Sequence, residues 1–326
     1  MITRTTIALA VSLAFVAGAA YGKATPQEVE RIGKDLTPMG AEKAANKDGT
    51  IPAWDGGLTH APAGFDPKKG YADPYAQDKV LFTITGQNAS QYADKLSPGQ
   101  LAMLAKHPTY KLEVYATRRS AALPATAYDD IKKNAGAAEL TSGGNGVAHS
   151  GTSSIPFPFP KAGEEPLWNH NFRWRGGSVE RDSSWYVVQP GGSNFRVATT
   201  DRFVFENAGY LDVKRDNMNF VWMGYYRQPA TLEGTILLVW DTIDQGKEAR
   251  SGWLYNAGQR RVRRVPDLCC DYSADGTEGL RFTDQYDAWN GTTDRYTWKL
   301  VGKKEMYIPY NVYKLSDKSL KETDVL

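Results

Sequence analysis

The chain has 326 residues and 36.0 kDa, with 41% hydrophobic, 23% charged and 12% aromatic residues, fractions that exclude wholesale disorder. Its 39 basic and 37 acidic side chains give a formal net charge of only +2, too little concentrated positive charge for a nucleic-acid binder. Two cysteines and four histidines are too few for a disulfide framework or a ligand-rich metal site.

The N-terminus carries one cationic side chain, Arg4, then an apolar run from Ile7 to Ala20. That run is shorter than the roughly 20 residues of a spanning helix and fits a secretory signal. Ala20-Tyr21-Gly22 supplies small residues at a cleavage site, so residues 1–22 read as a signal peptide and Lys23 as the mature start. Export to a bacterial periplasm is the expectation.

Residues 23–160 read as a helical and irregular region. Thr25-Pro26-Gln27-Glu28 is a capping box with proline at the first helical position. Val29, Ile32 and Leu36 continue one apolar face up to Thr37-Pro38. A short helix is predicted over Ala41–Ala45 and another over Ala89–Lys95. Ser97-Pro98-Gly99-Gln100 opens a further helix, which His107-Pro108 stops. Thr50 to Pro74 is rich in Gly, Pro and Asp and predicts an irregular loop, and Gly136 to Ser154 a connection of small residues. Ile155 to Pro160 alternates proline with apolar residues, as an extended segment with aromatic pegs.

Beyond Pro160 the texture changes: eight of nine tryptophans lie there, among closely spaced β-type runs. The runs are Leu167–Trp174, Trp185–Gln189, Arg202–Glu206 and Phe220–Tyr226, then Thr235–Trp240, Gly252–Tyr255 and Arg261–Val265. Tyr296–Val301 and Glu305–Ile308 complete the set. Such spacing predicts a mainly β fold with some α, an antiparallel meander over 161–326 that forms a barrel or a strongly curved sheet. Asn256-Ala257-Gly258 is a hairpin turn between two of the runs.

No Gly-x-Ser-x-Gly elbow, Walker loop or dinucleotide fingerprint is present, so no catalytic residue, metal or cofactor is assigned. Arg260-Arg261-Val262-Arg263-Arg264 is the strongest charge feature. Asp267, Asp271, Asp275 and Glu278 can neutralise it in an ion-pair network, the favoured reading. The alternative is a patch for acidic lipid headgroups or a partner. Adjacent Cys269 and Cys270 form either a vicinal disulfide or two thiols. Strands such as Ile236-Leu-Leu-Val239 are apolar on both faces and predict cover on both sides, one cover being the core and the other either elements enclosing an apolar ligand or simply more core. Trp222, Trp240, Trp253 and Tyr255 are the candidate lining, with Arg260 or Arg264 at the mouth.

Several stretches together resemble a known family: Leu36 to Glu42 with Asp48 to Trp54, Leu81 to Thr85, Gln91 to Leu96, Pro156 to Pro160 with Trp168-Asn-His170, and Trp253 to Tyr255 running through Gln259–Arg264 to Tyr307–Asn311. They are similar to a bacterial domain-of-unknown-function family described as outer-membrane lipoprotein-sorting proteins. The resemblance implies a fold like that of the periplasmic lipoprotein carriers LolA and LolB, an incomplete antiparallel barrel around helices with an acyl-chain cavity. It also implies a link to transporters of the resistance-nodulation-division class or to an outer-membrane protein, and a chain shorter than its relatives. The Cys269-Cys270 pair departs from the family pattern. The expected function is a non-enzymatic periplasmic carrier or binding protein for a lipid or other hydrophobic molecule. The alternative is an envelope scaffold that docks a membrane transporter, and a hydrolase is least favoured.

Overall fold

The computed structural model describes residues 23–150, 154–205, 217–266 and 268–325. The expected signal peptide, over 1–22, lies outside them.

The capping chemistry predicted at the N-terminal helices forms as read. In α1 (Pro26–Arg31) the Thr25 hydroxyl accepts from the Glu28 amide, and the Glu28 carboxylate accepts from the Thr25 amide at 2.8 Å. In α2 (Pro98–Lys106) Ser97 and Gln100 make the same reciprocal pair, and His107 ends the helix. β1 (Phe82–Ile84), before α2, pairs antiparallel with β2 (Leu112–Val114), after it, and Ala89–Lys95 is a 3-10 helix. Ile84, Leu96 and Leu104 close a small core there. The helix expected over 41–45 is bends and an isolated bridge instead: the Thr37 amide donates to the Ala41 carbonyl, and the Ala41 amide donates to the Thr37 hydroxyl.

A helix absent from the sequence reading, α3 (Ala125–Ala135), buries Ala127, Ile131, Asn134 and Ala135 at helical spacing. Its buried stripe is two alanines, an isoleucine and an asparagine, too weakly apolar to stand out. Two short strands, β3 (Glu139–Leu140) and β4 (Val147–Ala148), follow in the connection of small residues. Pro156 and Phe157 are then pegged into the interior, as the alternating segment predicted.

Leu167–Trp174, read as a strand, is instead largely α4 (Glu164–Asn171). The Glu165 carboxylate accepts from the amides of Lys161 and Ala162, which lie just before the helix. One turn on, Trp168 and Phe172 share a face with ring centroids 5.3 Å apart. A helical repeat of four thus outcompetes the β-type composition.

The remaining runs form one sheet of six antiparallel strands in sequence order. These are β5 (Ser178–Val188), β6 (Asn194–Phe205), β7 (Met218–Gln228), β8 (Ile236–Thr242), β9 (Ser251–Asn256) and β10 (Arg261–Val265). The fold is therefore mainly β with few helices, and the sheet does not close, with β5 and β10 at its edges. The hairpin at Asn256 forms as read, with Arg261 paired to Asn256.

Directly paired residues project to the same side of a sheet. On one side Val187, Val197, Tyr226, Leu237, Val239 and Leu254 make a buried core. The chain after β10 straps this side. Leu268 sits so close to Gly252 that a Cβ there would lie 2.7 Å from its side chain. The Arg281 guanidinium stacks 5.6 Å from the Trp185 ring centroid, and the Arg181 guanidinium donates to the Tyr286 hydroxyl at 2.5 Å.

The strands expected over 296–301 and 305–308 do not form. Their backbone is committed elsewhere: Tyr307 donates to the Lys95 carbonyl and its own carbonyl accepts from Gln100, each at 2.9 Å. Tyr296 and Trp298 instead pack around Trp289 at ring-centroid distances of 5.0 Å. No helix of the described residues is long and apolar enough to cross a membrane.

Candidate functional site

The six residues singled out from the sequence do not converge. Trp222 is on the strapped side: it pairs with Phe203 and Val239, packs against the core and lies across Gly224. Trp240, Trp253, Tyr255 and Arg264 project from the opposite side. Trp240 and Trp253 meet edge to face with centroids 5.6 Å apart. Arg264 is directly across from Trp253 and donates weakly to the Ser251 hydroxyl at 3.4 Å. Arg260 occupies the hairpin loop with φ 53°, exposed.

Beneath the strap, two ionic clusters hold the structure together. Asp241, on β8, accepts from Arg250 at 2.6 Å and from Asn219 at 2.9 Å. Arg250 then reaches the strap, donating to the Asn290 side-chain oxygen at 2.6 Å. The second cluster centres on Asp287, which accepts from Arg173 at 2.8 Å and Arg175 at 3.2 Å. His170 contacts the Asp287 carbonyl at 2.7 Å. Burial alone would raise the Asp287 carboxyl, but hydrogen bonding from His170 and the charge of Arg173 hold it down at about 2.

That depression fixes a pH dependence. Asp287 contributes stability above its ordinary value of 3.8, and the contribution is lost as pH falls from there through about 2. The expected size is about 1–2 kcal/mol after allowance for solvent screening of this part-exposed group. Urea unfolding of wild type and Asp287→Asn between about pH 5 and pH 2 measures it. The gap between the two proteins should shrink at the acid end, and a pH-independent gap would contradict the assignment.

A cavity of about 30 Å³ lies between these clusters, bordered by Trp168, Phe203, Phe220, Tyr286 and Trp289. A second, of about 10 Å³, adjoins Trp240 and Ser251. Each has room for a water or two, and neither takes an acyl chain.

The other side of the sheet is different. From β7 come Val221, Met223 and Tyr225, and from β8 Ile236 and Leu238 beside Trp240. Trp253, Tyr255 and Val262 continue the apolar stripe across β9 and β10. None of the nine is buried, and Val262 is 64% exposed. The sequence reading expected cover on both sides of these strands; the described residues bury only one. Strand alternation is legible, but six members of the stripe are not among the candidate lining because sequence does not say which side the strap crosses.

The arginine run meets the expected acids only in part: burial pushes the Asp275 carboxyl up, and the charge of Arg263 draws it down. Asp271 pairs with Arg295 rather than with the run, and Asp267 lies outside the described residues. Among the described residues Arg260, Arg261, Arg263 and Arg264 form no ion pair. Arg261 and Arg263 share the strapped side, with Arg264 on the other, as strand alternation predicts. On an edge strand such charges oppose pairing with another chain. Cys269 and Cys270 form a vicinal disulfide, with Cys270 at φ 63°.

An open antiparallel meander strapped on one side, with an apolar stripe on the other, defines a β-sheet protein whose accessible feature is a surface rather than a cleft. The chain belongs to the DUF1329 family of proteins of unknown function, whose profile matches residues 83–326. It is 46% identical over 319 residues to an uncharacterized Pseudomonas aeruginosa protein, PA3922, a match spanning 97% of this chain and 70% of that protein. A crystal structure of a DUF1329 family protein from Desulfovibrio piger aligns at 20% identity with a TM-score of 0.27. It covers 38% of this chain and 47% of the other, so less than half of that protein's length is spanned.

Proposed function

We propose that the protein is a non-enzymatic carrier or binding protein for a lipid or other hydrophobic molecule of the bacterial envelope, held on the open side of the sheet. The observation that carries this reading is the stripe of nine unburied apolar residues over β7–β10, with Arg264 beside Trp253. Seven of the nine are half-buried and Tyr225 and Val262 are exposed, and an accessible apolar patch of this kind marks an interaction surface. Tyrosine and tryptophan offer large apolar area together with a polar handle for a headgroup. In this reading the sheet is a half-barrel of the LolA/LolB type, the protein works in the periplasm in lipoprotein-sorting or related transport, and its ligand contacts the sheet directly.

A fluorescent fatty acid titrated into the purified chain tests the reading. Saturable binding is expected, weakened at least tenfold in Trp253→Asp with the circular dichroism spectrum unchanged. A folded wild type with no saturable binding would instead favour an envelope scaffold that docks a transporter or outer-membrane partner.

A further inference from the structure

We infer that the open side of the sheet docks on the surface of an anionic lipid bilayer, an inference that rests on the lipid-binding reading of the same face. The stripe spans three neighbouring strands and reaches a fourth, so at about 4.8 Å per strand it is some 10–15 Å wide. It has no described wall that would wrap a single chain, so an extended partner suits it better than an enclosed one.

Its flanks carry the charge that such a partner needs. The strands place two carboxylates on this side, Glu180 and Asp182, both on β5. Each is already neutralised: Glu180 accepts from Arg202 at 2.6 Å, and Asp182 lies 3.2 Å from Arg227. What remains is cationic. Arg264 borders the stripe on the β10 side and Arg260 extends from the hairpin loop beside it. On the β6 side Arg196 bonds only the Ser184 hydroxyl, at 2.8 Å, among the described residues. None of these three has an acidic partner among the described residues. The face is therefore apolar in the middle and positive at both margins. That pattern matches the acyl boundary and phosphate layer of an anionic bilayer. Tyr225, Trp253 and Tyr255 are the residue types that settle at such a boundary, and arginine stems lie along it with their guanidinium groups at the phosphates.

Sedimentation of the full chain with vesicles tests this, using phosphatidylcholine alone or mixed with phosphatidylglycerol. Binding should require the phosphatidylglycerol and weaken as salt rises. Each arginine near the surface contributes about fivefold, so Arg196→Gln/Arg260→Gln/Arg264→Gln should lower partition about 100-fold. Val262→Asp, at an exposed edge position, should lower it at least tenfold and report on the apolar stripe. Equal binding to both vesicle types, or an unaffected triple variant, would overturn the inference. So would fatty-acid binding without vesicle binding, which leaves the proposed function standing. Loss of both in the folded wild type removes both readings. A dimer abolished by Val262→Asp, without vesicle binding, assigns the face to a second copy and also overturns the inference.

Discussion

Replacing Asp241 with alanine is expected to destabilise the protein by about 3–5 kcal/mol, the usual cost of stranding one partner of a buried ion pair. Asp241 and Arg250 are each only 4% exposed at the side chain, and their 2.6 Å contact, with Arg250 bonded in turn to Asn290, ties β8 to the strap. Without the carboxylate, Arg250 keeps its bond to Asn290 but loses its counter-charge, while Asn219 loses an acceptor. Denaturant unfolding measures the loss. The double variant Asp241→Leu/Arg250→Met should recover much of it, because two apolar side chains leave no orphaned charge. A loss below about 1 kcal/mol in the single variant would show that water reaches the pair on local opening.

The second large effect is expected at Trp168, in α4. Its indole fills the core made with Phe157, Phe172, Ala138 and Val147, and its N–H donates to the Gly144 carbonyl at 2.9 Å. The same carbonyl accepts from the Thr293 hydroxyl at 2.9 Å, so one peptide group ties α4 and the segment after the strap to the short connection before β4. Trp168→Ala should cost about 3–5 kcal/mol through the cavity alone. Trp168→Phe, which retains most of the volume but not the bond, should cost clearly less. Equal losses in the two variants would place the stability in the hydrogen bond rather than in the packing.

The parts of this fold legible in the sequence are those decided locally. Thr25 and Ser97 announced their helices because a cap needs only residues three apart. Alternation set the sides of β10, and Asn256 set its hairpin. The parts that escaped depend on distant partners. Trp168 reads as β-forming by composition, yet its packing against Phe172 one turn on goes with a helix. Tyr296 and Trp298 look like strand residues, but Trp289 claims them for a loop core. Trp222 and Trp253 are indistinguishable by type and setting. Only the path of the strap, which no local pattern encodes, buries the side of the first and leaves the side of the second open.

That difference is also the sharpest way to test where the ligand binds. Fatty acids brominated along the chain quench tryptophan fluorescence at near contact, so they report which indoles they touch. Titration of the wild-type protein should quench part of the emission. That part should vanish in Trp240→Phe/Trp253→Phe and persist in Trp222→Phe, because the open side carries the first two and the strapped side the third. Quenching that survives the double variant but is lost in Trp222→Phe would put the ligand under the strap and contradict the account.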